Sequence, residues 1–591
     1  MDIAGLLESY RSGAVTPSEV IASIYDKIEA GPLHPVWISV VSRETSLARA
    51  RALENDPAAR SKPLFGVPFA VKDNIDLEGM PTTAGCPAYA YAPAESATVV
   101  KNLMNAGAIP IGKTNLDQFA TGLVGTRSPH GACSSVFDAR YISGGSSSGS
   151  AVAVASKLVS FSLGTDTAGS GRVPAAFNNL VGLKPTRGVL STAGVVPACR
   201  TLDCVSIFAN NSADTHAVWQ SSRGLDSRDS YSRAAAVGED AAPWSGGTFR
   251  FGVPSKEQLE FFGDAAAAEL FEKAVADLEK IGGQKVEIDY APFRAAAELL
   301  YSGPWVAERL AAIQPFLEQH GDEMNPVVRG IIGGATAHSA VKAFESAHKL
   351  QDLRAKTMAE WGKMDVLLLP TTGTTYTIED VNREPVKLNS NLGYYTNFVN
   401  LLDLSAIAVP AGFRANGLPF GVTFIAAAFQ DEALCMLADR YHRSHADVAG
   451  PALKAKPTGC ITVAVVGAHL SGQPLNWQLK DRGARLLSTT RTAACYRFFE
   501  LPGQKPAKPG LVRVENFPGP GIEVEVWAVP EQHFGSFVAA IPSPLGIGTV
   551  ELESGEMVKC FICEPWVLPG AKDITEYGGW RNFLSRKPPG L

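Results

Sequence analysis

Long apolar runs are missing from this 591-residue sequence. None approaches the roughly 20 residues that a membrane-spanning helix needs, which excludes the helical membrane classes. A basic excess is missing too. Lys and Arg number 53 against 59 Asp and Glu, a net charge of −6, and this leaves no electrostatic footprint for nucleic acid. The N-terminus, MDIAGLLESY, lacks the basic and then apolar segments of a secretory signal. Cysteine is sparse, nine residues without framework spacing, which argues against a disulfide scaffold and for a reducing cytoplasm. The one CxxC, Cys560 and Cys563 in VKCFICEPW, has no second pair to complete a zinc set and reads as core packing. The HxxH of His442 and His445 has no third ligand nearby and reads as a solvated helix end. Apolar residues are plentiful, 46% of the chain, enough for large cores, and the length predicts more than one domain.

Glycine and serine are concentrated at 144–150, GGSSSGS. Such tracts are usually flexible linkers. Here the tract runs straight into 151–158 (AVAVASKL), which predicts a buried helix, and 159–163 (VSFSL), which predicts a buried strand. A second small, polar turn follows at 164–170, GTDTAGS. A returning strand brings the two loops to one edge of a sheet.

The chemistry suggested is nucleophilic. Ser170 follows Thr167, Ala168 and Gly169, whose small side chains let backbone N–H groups converge on one point, as an oxyanion requires. A serine alcohol needs a base. No histidine except His130 lies near either loop, so a Ser-His-Asp triad is not the natural choice. Lys72 ends the apolar run 64–71, LFGVPFAV. An amine delivered by a buried strand is desolvated, and its proton affinity falls. The competing expectation is an ordinary strand-end ion pair of Lys72 with Asp73 or Asp76.

These residues carry a resemblance. Lys72 in GVPFAVKDNID, Ser146 in GGSSSGS and Ser170 in GTDTAGSGR are similar to the Lys, cis-Ser and nucleophilic Ser of the amidase signature family. Asp166, Arg172 and GLKPTRG at 182–188 extend the match over about the first 440 residues. The resemblance implies an α/β fold, a mixed sheet core covered by helices, over residues 1–450. It also implies a cis peptide at Ser146, a proton relay from Ser170 through Ser146 to Lys72, and no need for a metal or cofactor.

The rest of the chain fits that frame. Thr16, Pro17 and Glu19 predict a capped helix start. A strand before Asp73, a helix at 99–106 and a strand at 108–112 predict a parallel unit. Segment 117–125, DQFATGLVG, leads into the serine loop, and its Gly122 and Gly125 either let backbone approach a substrate or make an ordinary turn. Further strands are expected at 205–209, 249–253, 365–370, 407–410 and 420–425, and helices at 265–281 and over most of 299–332. Residues 223–247 read as a surface excursion. Segment 446–458 is a linker by composition. Beyond it, short strand candidates near 461–466, 485–488, 496–500, 511–514, 522–529 and 548–552 predict a second, α+β or β-rich domain over 460–591.

The first domain specifies serine-dependent amide hydrolysis without specifying the amide. In YSGPWVAER, Tyr301 and Arg309 lie two turns apart if the segment is helical. An Arg fork with a phenol suits a small carboxylate; the competing expectation is a surface Arg paired with Glu308 or Asp322. The pair resembles the substrate-carboxylate contacts of allophanate hydrolases, and GAHLSGQPLNWQL at 467–479 resembles the small, cyclotransferase-like C-terminal domain of the same family. That resemblance implies hydrolysis of allophanate, with Gly122, Thr167, Ala168, Gly169, Tyr301 and Arg309 around the substrate, in a cytoplasmic homo-oligomer. His469, in a Gly-rich turn after a strand, has either a proton-handling role toward the N-carboxycarbamate product or none beyond architecture. A broad amidase, an ammonia-donating component of an amidotransferase and a non-catalytic scaffold are the alternative functions.

Overall fold

The Thr16 hydroxyl accepts from the Glu19 N–H at 3.2 Å, and the Glu19 carboxylate accepts from the Thr16 N–H at 2.8 Å. This capping box starts the helix Pro17–Glu29, whose Val20, Ile21 and Ile24 are buried. It belongs to a computed structural model that describes residues 2–31, 35–234, 244, 247–453, 460–514, 517–553 and 556–585, with the backbone alone at Ser302. The chain divides into two units, Met1–Ala455 and Lys456–Leu591. Among the described residues no helix is long and apolar enough to cross a membrane.

Unit 1 is built on an eleven-stranded mixed sheet. Its strands are β1 (Trp37–Val40), β2 (Pro68–Lys72), β3 (Ile109–Thr114), β4 (Phe161–Asp166), β5 (Val181–Lys184), β6 (Cys204–Ala209), β7 (Phe249–Pro254), β8 (Gly283–Ile288), β9 (Val366–Pro370), β10 (Leu404–Phe413) and β11 (Pro419–Ala427). Their spatial order is β1-β3-β2-β4-β6-β5-β10-β11-β9-β7-β8. β2 runs parallel to both β3 and β4, and β4 to β9 in that order pair antiparallel. Every residue of β2, β3, β4, β5, β6 and β9 is buried. Helices therefore cover both faces, and the site is assembled at strand ends rather than on a face.

The Gly/Ser tract is no linker. Ser148–Ala155 is a buried helix, and its serines bond to the sheet: Ser150 to the Leu163 carbonyl at 2.9 Å, with the preceding Ser147 to the Thr165 carbonyl at 3.1 Å. A Cβ on Gly149 would stand 2.5 Å from the Val36 carbonyl oxygen, so only glycine lets this helix approach the start of β1 so closely.

Several sequence expectations shift. The strand expected at 159–163 is β4, and it continues through Gly164, Thr165 and Asp166 because its ladder with β6 runs to Asp166 opposite Cys204. Within 223–234, Asp229 is buried and accepts from Thr192, and Arg233 pairs with Asp403. This stretch is docked rather than a free surface excursion, while 235–243, 245 and 246 lie outside the described residues. His442 is buried, and burial pushes its imidazole down to about 4. His445 is half-buried and faces the Tyr441 and Pro410 carbonyls, so the pair is not a freely solvated helix end. The sequence reading missed β1, β5 and β8. β8 is a sheet edge with exposed polar positions, which removes the apolar run that marks the inner strands.

Unit 2 has a five-stranded sheet and a three-stranded one. Its strands are β12 (Cys460–Val465), β13 (Arg485–Arg491), β14 (Tyr496–Glu500), β15 (Pro509–Arg513), β16 (Glu523–Pro530), β17 (Leu545–Glu551), β18 (Met557–Cys563) and β19 (Lys572–Asp573). The orders are β13-β16-β12-β18-β17 and β15-β14-β19. Val463, Val465, Phe498, Trp527, Phe561 and Trp580 are among its buried core. Cys560 joins that core, and Cys563 packs with Leu501 and Val567 in a separate cluster. Three residues apart on one strand, the two thiols point to opposite sides.

Candidate active site

β2 and β4 are parallel neighbours with Val71 beside Leu163. Their C-terminal ends therefore deliver Lys72 and Thr165 side by side. Lys72 Nζ donates to Ser146 Oγ at 2.8 Å and to Thr165 Oγ1 at 2.7 Å. The ammonium group is fully buried. Burial brings its proton affinity down to about 7, against the opposing pull of the Asp117, Asp203 and Asp166 carboxylates. The strand-end ion pair does not form. Asp73 is paired with Lys113 at 3.2 Å, and Asp76 accepts from Thr82 and Tyr91.

The Gly145–Ser146 peptide is cis. Ser170 is 3% exposed, and its Oγ faces the Gly122 carbonyl oxygen at 3.5 Å. No hydrogen bond joins Ser146 and Ser170 among the described residues, so the chain of bonds runs from Lys72 to Ser146 and stops short of the nucleophile.

The nucleophile loop is wound around Asp166. Its carboxylate accepts from the Gly169 N–H at 2.8 Å, the Gly171 N–H at 3.0 Å and the Arg172 guanidinium at 2.9 and 3.0 Å. Burial alone would raise the Asp166 carboxyl, but Arg172 and these donors outweigh it and hold it below the ordinary value. One expectation is corrected here: the Gly169 N–H is taken by Asp166 and is not free for an oxyanion. Gly169 contributes its φ of +134° and its bare Cα, on which a Cβ would stand 2.5 Å from Thr396 Oγ1. Among the described residues no acceptor takes the N–H groups of Thr167, Ala168 or Ser170. The Thr167 hydroxyl donates to Asp203.

Tyr301 and Arg309 do not lie on one helix. Tyr301 is in Ala291–Ser302 and Arg309 in Trp305–His320, with Gly303 and Pro304 between. The break still brings them together, the Arg309 guanidinium lying 5.6 Å from the centre of the Tyr301 ring. Arg309 is 2% exposed. Its Nη1 donates to Thr121 Oγ1 at 3.0 Å and to the Ala120 carbonyl at 3.3 Å, while Nη2 is buried with no partner among the described residues. The surface pairings expected as alternatives are absent: Glu308 is taken by Thr201, and Asp322 by Arg329. A buried, unpaired guanidinium donor next to the turn that faces Ser170 is suited to an anionic acceptor.

In unit 2, His469 follows β12 and stacks on Phe561 at 4.8 Å. Nε2 meets Gln478 Oε1 at 2.9 Å, and burial pushes the imidazole below its ordinary value. His469 lines a cavity of about 190 Å³ with Gly467, Gln478, Lys505, Lys508 and Phe561.

Residues 19–435 match the family described as Amidase. The chain belongs to the amidase family. Residues 461–585 match the allophanate hydrolase C-terminal domain. The amidase unit and the second unit together are similar to a solved Kluyveromyces lactis allophanate hydrolase, at 42% identity over 98% of each chain with a TM-score of 0.73. Among curated relatives, the urea amidolyase of Saccharomyces cerevisiae is 46% identical over 96% of this chain and 32% of its own length. That of Lachancea kluyveri is 43% identical over 97% of this chain and 32% of its own. The chain thus spans about a third of the length of the curated urea amidolyases it matches.

Three residues of the amidase site went unread in the sequence. Thr165 holds Lys72 but sits where the sequence predicts a turn. Asp203 takes the Thr167 hydroxyl from a segment given no role. Asp117 opens DQFATGLVG, whose glycines carry the more visible signal; a Cβ on Gly122 would stand 2.5 Å from its Oδ2. An acidic residue beside a glycine pair was the available signal.

Proposed function

We propose that the chain hydrolyses allophanate, a urea carrying an N-carboxylate, to ammonia and carbon dioxide. Arg309 carries this reading, as a buried guanidinium with an unpaired Nη2 beside the Thr121–Gly122 turn. A neutral amide offers such a group a carbonyl acceptor without a counter-charge, whereas the N-carboxylate supplies both.

The chemistry follows from the Lys72–Ser146 pair. Neutral Lys72 takes the Ser146 proton, and Ser146 takes that of Ser170 as its Oγ attacks the terminal carbonyl. The oxyanion lies against the N–H groups of Thr167, Ala168 and Ser170. The proton returns along the relay to the departing nitrogen, and ammonia leaves. Water, deprotonated by the same relay, cleaves the acyl-enzyme to N-carboxycarbamate. That product takes up protons and loses carbon dioxide to leave ammonia. The His469 cavity, with Lys505 and Lys508 on its wall, suits this doubly anionic intermediate and supports the reading that unit 2 assists its decarboxylation. A cytoplasmic homo-oligomer completes the reading; nine free cysteines suit a reducing compartment.

Ammonia release from allophanate, malonamate, biuret and simple amides tests the proposal. Preference for allophanate is expected. Equal turnover of uncharged amides overturns the substrate assignment and favours a broad amidase.

A further inference from the structure

Asp117 has no part in the chemistry above, yet it touches the Ser146 loop and the turn that faces Ser170. It is fully buried. Its Oδ1 accepts from the Arg127 N–H at 2.9 Å, and its Oδ2 from the Gly125 and Val124 N–H groups at 3.0 and 3.3 Å. These donors belong to the turn that presents the Gly122 carbonyl to Ser170. Its own N–H donates to the Ser146 carbonyl at 3.1 Å. Glycines flank the carboxylate on two sides: a Cβ on Gly145 would stand 2.2 Å from Oδ2, and one on Gly122 2.5 Å. Two glycines thus make room for one carboxylate, and one of them forms the peptide bond to Ser146.

We infer that Asp117 is a positioning residue of the relay, tying the Gly122 turn to the Ser146 loop and standing as the counter-charge to Lys72. The charged groups facing Lys72 are Asp117, Asp203, Asp166 and Arg309; neighbouring Asp73 is engaged by Lys113. Asp203 is committed to Thr167 and Asp166 to Arg172. Asp117 has no cationic side chain within salt-bridge distance among the described residues, so its charge is balanced by backbone N–H groups and by the fields of Lys72 and of the Arg127 guanidinium, which is itself bonded to the Thr121 carbonyl. Among the opposing carboxylates its pull on Lys72 is the largest.

The test is the pH dependence of kcat/KM for allophanate in the full chain carrying Asp117→Asn. Removing the negative charge takes a stabilising neighbour from protonated Lys72. The base then becomes neutral at lower pH, and the acidic limb moves down by about one unit, with kcat reduced at least about tenfold. Asp117→Glu keeps the charge and displaces the turn, so its limb stays and its kcat falls; this arm carries the test if the Asn variant does not fold. An unmoved limb in Asp117→Asn, or wild-type kcat in Asp117→Glu, overturns the inference. It rests on the relay proposed above, so Ser170→Ala is measured alongside. Activity in Ser170→Ala sinks the relay itself, whereas an inactive Ser170→Ala with an unmoved limb in Asp117→Asn sinks only the role of Asp117.

Discussion

Lys72 Nζ and Thr165 Oγ1 lie 2.7 Å apart at the ends of two parallel strands. The contact gives the buried amine a second hydroxyl acceptor besides Ser146, and two acceptors fix the direction in which its lone pair or its protons point. Thr165→Val keeps the shape and deletes this acceptor. The expected result is a kcat loss of at least about tenfold with KM little changed, read by steady-state kinetics.

Lys72→Ala and Ser170→Ala are each expected to lose at least about a thousand-fold in kcat, and Ser146→Ala nearly as much, because members of one relay fail together. Single-turnover ammonia release measures this. Near-normal turnover in Lys72→Ala would require another base.

Wild-type activity is expected to rise with pH through about 7, the value to which burial brings Lys72. The sign follows from the role. A base works unprotonated, so acidification below that value removes activity, and the loss reverses on returning to neutral pH. A profile that stays flat between pH 5 and 8, roughly the span over which such a group titrates, contradicts a lysine base.

Arg309→Ala is expected to raise KM for allophanate by about thirty- to a hundred-fold, a charge-assisted contact of roughly 2–3 kcal/mol. Turnover of uncharged amides should change far less. Parallel kinetics on allophanate and on a simple amide check this; equal effects on both substrates would make Arg309 a support for the Thr121 turn and nothing more.

His469→Ala separates the two units. Ammonia release by unit 1 is expected to continue while carbon dioxide evolution lags behind it, followed by simultaneous ammonia and carbon dioxide detection. If the two keep pace, His469 has no part in the decarboxylation.

Much of this was legible in the sequence, and for a common reason. Lys72 ends an apolar run, the Gly/Ser tract of Ser146 is told from a linker by the apolar segments that follow it, and β2, β4 and the buried helix after the tract follow from their apolar runs. What escaped was set by register and by contacts across the chain. Thr165 became a partner of Lys72 because the β4 ladder extends past the expected turn. The Gly169 N–H was lost to Asp166, a competition within the loop that residue types do not reveal. Tyr301 and Arg309 meet although Gly303 and Pro304 interrupt the helix presumed to join them. The chemistry of a loop is readable from its composition, but the partner of each polar group depends on which strand ends where.

That interruption separates two kinds of selective pressure. The base of the relay, Lys72, and its partner Thr165 sit on the ends of buried strands, where a substitution disturbs the sheet itself. Arg309 reaches the site from a helix that begins after Pro304 and touches the catalytic loops through Thr121 and Ala120. Substrate preference can therefore drift by exchange of residues on that helical arm while the bond-breaking apparatus stays unaltered, so one hydrolytic core can serve many amides.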